Sequence, residues 1–159
     1  MADNTITLYG KNSVFERLKA NSGSIKKIFL QENFDVPHIE KLINESNISV
    51  ERLSQKQLAR IKHTRDFQGI IAEVEGFGYI PFDELLLGNS GKKSTPVFLD
   101  RIFDPHNLGA IIRTLACFGG FSVVIPRFNA CEVNETVLHV ASGGENYVPV
   151  SMVTNLSKA

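Results

Sequence analysis

Residues 99–120 read LDRIFDPHNLGAIIRTLACFGG, and this stretch decides the fold of the second half of the chain. Apolar residues recur after Asn107 at the spacing of an α-helix that packs on one face. Asn107 is predicted to cap this helix, because its side-chain oxygen can accept a main-chain N–H of the first turn. The buried stripe is predicted to consist of Leu108, Ile111, Ile112, Leu115 and Phe118.

Arg113 lies within this helix but outside the apolar stripe. The preceding loop follows a predicted strand, at the edge where open α/β sheets bind ligands. The helical rise separates Asn107 from Arg113 by about 9 Å, so the two side chains could contact different parts of one ligand. The alternative is a plain cap at Asn107 and a surface residue at Arg113. The neighbours of Arg113 at three and four residues are all small and are predicted to leave space beside the guanidinium: Gly109, Ala110, Ala116 and Cys117.

Strands and helices alternate through the rest of this half. The predicted strands are PVFLDRI, FSVVIP and YVPVSMV, and the helices between them are NLGAIIRTLACFG and NETVLHVAS. This alternation is typical of βαβ units and predicts a parallel sheet. With so few strands and helices, one face or edge of the sheet is expected to stay uncovered.

The first half carries an α/β alternation of its own. Its predicted helices are SVFERLKA, VPHIEKLINES and QKQLARIK, and its predicted strands are SIKKIFLQ, NISVERLS and QGIIAEVEGF. Asn12 or Ser13 is predicted to cap the first helix, and Ser54 the third. The stretch GNSGKKS has the composition of a linker. The predicted limits are therefore 1–88 for the first domain, 89–95 for the linker and 96–159 for the second domain.

The composition of the chain limits which partners, metal sites and cellular locations are expected. The 159 residues hold 17 Lys plus Arg and 17 Asp plus Glu, so any site for a polyanion is expected to be local. The histidines lie at no ligand spacing with Cys or carboxylates, and no metal site is expected. Cys117 and Cys131 are predicted to be buried, reduced thiols. The sequence shows neither a membrane-length apolar run nor a signal-peptide pattern, so a cytoplasmic location without membrane contact is expected.

Residues 99–126 resemble the first motif of the SpoU/TrmH family of RNA ribose 2′-O-methyltransferases. LYGKNSVFERLK and RDFQGIIAEV resemble segments of the family's substrate-binding domain, which is similar to the L30e/L7Ae fold. The resemblance spans nearly the whole chain, and is nearest to the subgroup that modifies guanosine in large-subunit ribosomal RNA. The family's Asp-Pro-x-Asn-x-Gly segment and the arginine that follows it are matched here by Asp104, Pro105, Asn107, Gly109 and Arg113.

The resemblance implies an α/β fold in which 96–159 form the first half of a SPOUT-type knotted domain. It implies catalytic roles for Asn107 and Arg113, S-adenosylmethionine as cofactor, and a homodimer of the full-length protein. RNA is the implied partner, ribosomal RNA first and transfer RNA as the alternative. Because a guanidinium stays protonated at neutral pH, Arg113 is expected to stabilise a developing 2′-alkoxide or hold the adjacent phosphate, and not to remove the proton.

Two departures from the family pattern bear on this expectation. In ASGGENYVPV many relatives carry Glu where Asn146 stands, whereas Glu145 precedes that position here, so neither residue is given a role. The Gly-x-Glu-Gly and Ser-Leu-Asn motifs of the family's cofactor knot do not occur in these 159 residues. The chain is therefore expected to be a fragment that contains no cofactor-binding residues and transfers no methyl group alone.

Polar and basic residues at predicted turns are candidates for contacts with RNA phosphates. The candidates are Lys11, Asn12, Arg65, Gln68 and Arg127, and the alternative for the turn and helix-mouth positions is a solvated face or a plain cap. The rings of Phe67, Phe77 and Phe128 could stack on bases, although core burial is favoured for Phe67 and Phe77. The alternative function is a non-catalytic RNA-binding module of L30e/L7Ae type, and a small-molecule α/β protein is a weaker third.

Overall fold

The computed structural model describes residues 5–64, 66–87 and 94–159. The chain forms two compact units, Met1–Gly76 and Phe77–Ala159. The first unit contains β1 (Thr5–Tyr9), α1 (Lys11–Asn21), β2 (Ile25–Gln31), α2 (Pro37–Glu45), β3 (Ser49–Leu53), α3 (Gln55–Ile61) and β4 (Ile70–Glu75). The second contains α4 (Phe82–Leu87), β5 (Thr95–Phe98), α5 (Pro105–Phe118), β6 (Phe121–Pro126), α6 (Glu135–Ala141), a 3₁₀ turn (Gly144–Asn146) and β7 (Val150–Val153).

The first unit is built on a four-stranded sheet with the order β1-β4-β2-β3. Strands β2 and β3 are parallel, and β4 runs antiparallel to both β1 and β2. The β4 residues Ile70, Ile71, Ala72 and Val74 are fully buried, because this strand lies inside the sheet. The predicted alternation of helices and strands is confirmed from α1 to β4.

Strand β1 is an element that the sequence prediction missed. Only Leu8 and Tyr9 of this strand are buried, so its apolar alternation is weak. Its place is fixed by pairing with β4, from Thr5 opposite Glu75 to Tyr9 opposite Ile71. Such a distant partner leaves little local signal in the sequence.

The two predicted caps of this unit have different outcomes. Helix α1 starts directly after Gly10, whose φ of 93° suits glycine, and the N–H of Lys11 donates to Gln68 Oε1 at 3.0 Å. The predicted cap at Asn12 or Ser13 is therefore wrong, since a distant side chain satisfies this N–H. The predicted cap at Ser54 is confirmed, and Ser54 forms a capping box with Gln57.

The second unit is built on a parallel sheet with the order β5-β6-β7, which confirms the predicted parallel pairing. Residues 77–87, which the sequence prediction placed in the first domain, belong to this unit. The Ile80 N–H donates to the Val150 oxygen at 2.9 Å, and the Tyr79 hydroxyl accepts from the Val133 N–H at 2.8 Å. The division thus lies ahead of the predicted limit at 88. The predicted linker 89–95 falls mainly on residues outside the described ranges.

Helix α5 buries only part of its predicted stripe. Leu108 and Ile112 are buried, Ile111 and Leu115 are half-buried, and Phe118 is 78% exposed. The burial of Phe118 is therefore a wrong prediction. The buried surface of α5 also includes Gly109, on the side that packs against α6, so the far edge of the stripe is turned to solvent.

The contact between α5 and α6 depends on the absence of a side chain at Gly109. A Cβ atom there would lie 2.7 Å from Val140 Cβ and 2.8 Å from the main-chain oxygen of Val137. Both distances are shorter than van der Waals contact, and the second involves backbone that cannot rotate away. The small residue at 109 is thus needed for helix packing.

No helix in the described ranges is long and apolar enough to cross a membrane.

We predict that Gly109→Ala lowers the free energy of unfolding by about 1–3 kcal/mol, the usual cost of overpacking. The same change in an uncrowded helix raises stability by about 1 kcal/mol, so the sign of the effect is informative. Urea denaturation of the 159-residue chain measures it. Gly78→Ala is the control for an uncrowded position, because Gly78 lies outside the helices and a Cβ there meets nothing within 4 Å. A Gly109→Ala variant as stable as the wild type would contradict the packing analysis.

Candidate functional site

Asp104, and not Asn107, caps α5. The helix begins at Pro105, and Asp104 Oδ1 accepts the N–H of His106 at 2.9 Å. Proline suits the first helical position, because the N–H that it lacks has no partner there. The predicted cap at Asn107 is wrong for this reason. Asn107 lies inside the first turn with an exposed side chain, so its amide is open to a ligand.

Arg113 lies on the third turn of α5 and is exposed. Its Nη1 donates to the main-chain oxygen of Val140 at 3.4 Å, which is a long hydrogen bond. Val140 belongs to the last turn of α6, where carbonyl oxygens carry the negative end of the helix dipole. Within the described ranges Arg113 forms no ion pair with a carboxylate. Most of its five N–H donors therefore remain available to a ligand.

The 3₁₀ turn packs on the main chain of Arg113. A Cβ atom at Gly144 would lie 3.1 Å from Arg113 Cα and 3.2 Å from Ala116 Cβ. These distances are tighter than ordinary contact, so a larger residue at 144 would push the two segments apart by a few tenths of an ångström. The absence of a side chain at 144 thereby allows the 3₁₀ turn to pack directly on the Arg113 backbone and to hold it in place.

Two of the four small residues beside Arg113 serve packing, which corrects the sequence prediction. They were predicted to leave space next to the guanidinium, but Gly109 is filled by α6 and Ala116 is approached by the 3₁₀ turn. Only Ala110 borders an open groove, and Cys117 is exposed. Small residues in α5 thus indicate where neighbouring segments pack closely on this helix.

Asn107 and Arg113 face different sides of α5. Six residues at the helical period place them about 120° apart around the axis. Asn107 borders a groove of about 390 Å³ whose other lining residues are Ile102, Ala110, Ile111, Thr114 and Leu115. Arg113 faces α6. No hydrogen bond joins the two side chains in the part of the chain that the structure describes.

Glu145 is a buried carboxylate on the 3₁₀ turn beside Arg113, and sequence reasoning gave it no role. Its side chain is 6% exposed, and Oε1 accepts the Nδ2 of Asn146 at 3.2 Å. The same Nδ2 donates to the Gly143 oxygen at 2.8 Å. Both residues therefore stabilise the turn that packs on α5. The available signal was a single charged side chain among the uncharged residues of ASGGENYVPV.

The loop after β6 presents Arg127 and Phe128 to solvent. Phe128 is 66% exposed, and Arg127 is exposed beside it. The main-chain N–H of Arg127 donates to the Val153 oxygen at 2.8 Å. The prediction that placed Arg127 just after the strand FSVVIP is confirmed in position, while its contact with RNA stays a prediction.

The two cysteines are free thiols, but neither is buried. Cys117 is exposed and Cys131 is half-buried, so the predicted burial is wrong. Burial, followed by the charges of Asp104 and Glu132, raises the pKa of the Cys131 thiol above its ordinary value. Among the residues that the structure describes, no group of three or more His, Cys, Asp or Glu is placed to hold a metal ion.

The first unit brings together two of its predicted RNA contacts. Gln68 Oε1 accepts the Lys11 N–H, and both side chains are exposed, as is Asn12 on the first turn of α1. The Lys11 ammonium lies 5.7 Å from the centre of the Phe34 ring. Arg65 lies outside the described residues. Phe67 is buried as predicted, and Phe77 is half-buried against Tyr79.

Family models match both parts of the chain. The model for RNA 2′-O ribose methyltransferase substrate binding matches residues 7–80. The model for the SpoU rRNA methylase family matches residues 94–159.

Curated relatives are similar along almost the whole chain. YacO of Bacillus subtilis, assigned to the TrmH family of tRNA/rRNA methyltransferases, is 32% identical over 94% of this chain and 61% of its own length. The 23S rRNA (guanosine-2′-O-)-methyltransferase RlmB of Nitrosomonas europaea is 33% identical over 95% of this chain and 59% of its own. The chain spans 41% to 63% of the length of the first curated relatives that it matches.

Solved structures share the fold. The S-adenosylmethionine-bound rRNA methyltransferase of Sinorhizobium meliloti superposes with a TM-score of 0.72 at 21% identity, over 94% of this chain and 54% of that one. The SpoU methyltransferase AviRb of Streptomyces viridochromogenes, also solved with its cofactor, gives 0.75 at 14% identity, over 98% and 56%. With both of its parts matched by family models, the chain belongs to the SpoU/TrmH family of RNA 2′-O-ribose methyltransferases.

Proposed function

We propose that this chain supplies the RNA-binding and catalytic residues of an RNA ribose 2′-O-methyltransferase. The observation that carries the proposal is the environment of Arg113. The 3₁₀ turn packs on its main chain, one carbonyl oxygen accepts a hydrogen bond from its guanidinium, and the other N–H donors face solvent. The family match supports methyl transfer to a ribose hydroxyl as the reaction. S-adenosylmethionine, which relatives bind in their solved structures, supplies the methyl group.

Arg113 has the chemistry of an anion ligand. A guanidinium remains charged at neutral pH and offers a planar pair of donors, which suits a phosphate or a developing alkoxide. The Val140 oxygen at the end of α6 accepts a hydrogen bond from Nη1 and so orients the guanidinium plane. We propose that Arg113 holds the RNA phosphate next to the target ribose or stabilises the charge that develops on its 2′-oxygen, while the proton passes to another acceptor.

Asn107 has a different task. Its exposed amide borders the groove of α5, and it can both donate and accept hydrogen bonds. We propose that it contacts the sugar or base of the same nucleotide. Because Asn107 and Arg113 face different sides of α5, a bound nucleotide would have to follow the surface of this helix.

The residues around Asn107 and Arg113 do not fit S-adenosylmethionine. The cofactor's carboxylate, ammonium and ribose hydroxyls each need polar partners. The groove offers only Asn107 and Thr114 among Ile102, Ala110, Ile111 and Leu115. We therefore propose that the cofactor is held outside the groove of α5, by residues that the longer relatives have in addition.

The first unit is proposed to bind the RNA. The dipole of α1 favours a phosphate at the N-terminus of this helix, although the N–H of Lys11 itself is bonded to Gln68. Lys11 and Asn12 lie on its first turn beside Gln68, and Arg65 is close in sequence to Gln68. Ribosomal RNA is the favoured substrate, since RlmB of Nitrosomonas europaea is a 23S rRNA guanosine methyltransferase. Transfer RNA is the alternative, and a cytoplasmic homodimer of the longer protein is part of the same proposal.

A non-catalytic RNA-binding module is the second candidate function. It is favoured by the fact that the Lys11–Gln68 surface lies entirely in the first unit. An RNA-binding module needs no open guanidinium at Arg113, so the two functions differ in what substitution of this residue does.

We predict that Arg113→Lys and Arg113→Ala each lower the methylation turnover roughly 100- to 1,000-fold, the usual cost of losing a charge-stabilising donor. Lysine fails because it lacks the planar pair of donors. The measurement is transfer of labelled methyl groups to ribosomal RNA by a chain extended to the length of RlmB.

Arg52→Lys is the matched control, since Arg52 pairs with Glu40 within the first unit, whereas Arg113 belongs to the second. Near-normal turnover of Arg113→Lys would contradict the assigned role. An extended wild-type chain that binds RNA but transfers no methyl group would favour the RNA-binding module.

We also predict that Lys11→Ala weakens binding of structured RNA and makes the plot of log affinity against log salt shallower by about 0.9, the value of one phosphate contact. Fluorescence anisotropy over a range of KCl concentrations measures both quantities. Lys41→Ala is the control, because Lys41 is an exposed lysine of α2 that faces Glu45. Identical salt slopes for the wild type and Lys11→Ala would remove Lys11 from the RNA-binding surface.

A further inference from the structure

A cavity of about 500 Å³ lies where the strands of the parallel sheet end. It is distinct from the groove of α5, and we refer to it as the rim cavity. Its volume is within the range of small-molecule sites. Residues at or just after the ends of all three strands line it: Phe98, Asp100 and Arg101 at β5, Pro126, Phe128 and Asn129 at β6, and Asn155, Leu156 and Ser157 after β7.

Two aromatic rings in the rim cavity are open to solvent. Phe128 is 66% exposed and Phe98 is 42% exposed. Phe98 is held by an edge-to-face contact with Phe82, whose ring centre is 6.1 Å away. A flat ligand that covered these rings would remove their exposed apolar surface from water, which is favourable.

The loop that carries Phe128 is tied at both ends. The Arg127 N–H donates to the Val153 oxygen at 2.8 Å, and the Cys131 N–H donates to the Ile102 oxygen at 2.7 Å. These bonds connect the loop to β7 on one side and to the loop before α5 on the other. Phe128 is thus presented on a fixed backbone, which lowers the entropy cost of binding a ligand.

Two non-glycine residues of the rim cavity have left-handed backbones. Arg101 has a φ of 54° and Asn129 a φ of 59°. Asparagine tolerates this region, whereas for arginine it is strained. Strain of this kind is concentrated at ligand sites, where surrounding contacts maintain it.

The polar groups of the rim cavity suit the edge of a base, which carries both hydrogen-bond donors and acceptors. The Asp100 carboxylate would repel a phosphate but can accept a hydrogen bond from the amino group of a base. Arg101 Nε lies 3.9 Å from Asp100 Oδ2, and both side chains are exposed, so this pair is weak and both groups stay accessible. Asn155 Oδ1 already accepts the Ser157 N–H at 2.9 Å, which leaves its Nδ2 to donate.

We propose that the rim cavity binds one unpaired RNA base, with Phe128 as the stacking surface and Asp100 and Asn155 as hydrogen-bonding partners of the base edge. The proposal rests on the proposed function in one respect, that RNA is the ligand of this chain. Proteins that read single-stranded RNA stack splayed bases on aromatic side chains in this way. Arg127, beside Phe128, would contact the backbone phosphate of the same nucleotide.

The test compares an adenosine octamer with the ribose-phosphate octamer of the same length that lacks bases. Both are measured by fluorescence anisotropy against the 159-residue wild type and Phe128→Ala. We expect Phe128→Ala to weaken binding of the adenosine octamer roughly 5- to 150-fold, the usual effect of one lost base stack, and to leave the abasic octamer unchanged. Phe118→Ala is the matched control, because Phe118 is 78% exposed on α5 and outside the cavity; we expect it to change neither affinity.

Each other outcome has a definite meaning. An equal loss for both octamers, or no loss, would overturn base stacking at Phe128. If the octamers bind with a steep salt dependence while Phe128→Ala has no effect, the rim proposal fails and RNA binding stands. If neither octamer nor structured RNA binds the wild type, both proposals fail. Displacement of the adenosine octamer by S-adenosylmethionine would overturn RNA as the ligand of this cavity.

A second variant gives a direct signal of stacking. The chain contains no tryptophan, so Phe128→Trp introduces a single fluorescent reporter at the cavity. We expect the adenosine octamer to quench this fluorescence and the abasic octamer to leave it unchanged. Binding of the adenosine octamer without quenching would overturn the proposal, since the ring would then lie away from the base.

Discussion

The close contact of α5 with α6 and the 3₁₀ turn is the constraint on which the second unit depends. Two glycines permit it: Gly109 faces Val137 and Val140, and Gly144 faces the backbone of Arg113. The contact places the guanidinium at the last turn of α6, where one carbonyl oxygen accepts its hydrogen bond. The presence of Arg113 within an apolar helix is thus explained by α6 and the 3₁₀ turn. They position its backbone and leave most of its N–H donors exposed to solvent.

Local patterns in the sequence predicted the elements that local physics controls. The alternation of strands and helices predicted a parallel sheet, which β5, β6 and β7 form, and the cap predicted at Ser54 is present. Features that depend on distant partners were missed. Strand β1 exists through its pairing with β4, and the first N–H of α1 is satisfied by Gln68 from a remote loop.

The candidate site likewise combines features that local sequence patterns predict with features that depend on distant partners. The resemblance to the family motif implied roles for Asn107 and Arg113, while the spacing alone suggested a cap at Asn107 and free space beside Arg113. The cap is Asp104, since Pro105 takes the first helical position, and the space is occupied by α6. Phe118 and Cys117 are exposed because α5 packs on its neighbours with a different face from the one that the sequence predicted. The spacing of apolar residues within one helix does not specify which neighbours will cover it. The rim cavity needed the ends of three strands together and was therefore outside the reach of sequence analysis.

The most direct measurement of the central claim is a double-mutant cycle of Gly144→Ala and Arg113→Ala, with methyl transfer to ribosomal RNA by the extended chain as the readout. A shift of a few tenths of an ångström at Arg113 is expected to slow transfer roughly tenfold, because catalysis is sensitive to misplacement. If Gly144 acts by positioning Arg113, then Gly144→Ala has no further effect once Arg113 is alanine. A loss by the same factor in both backgrounds would contradict the account, since Gly144 would then act without Arg113.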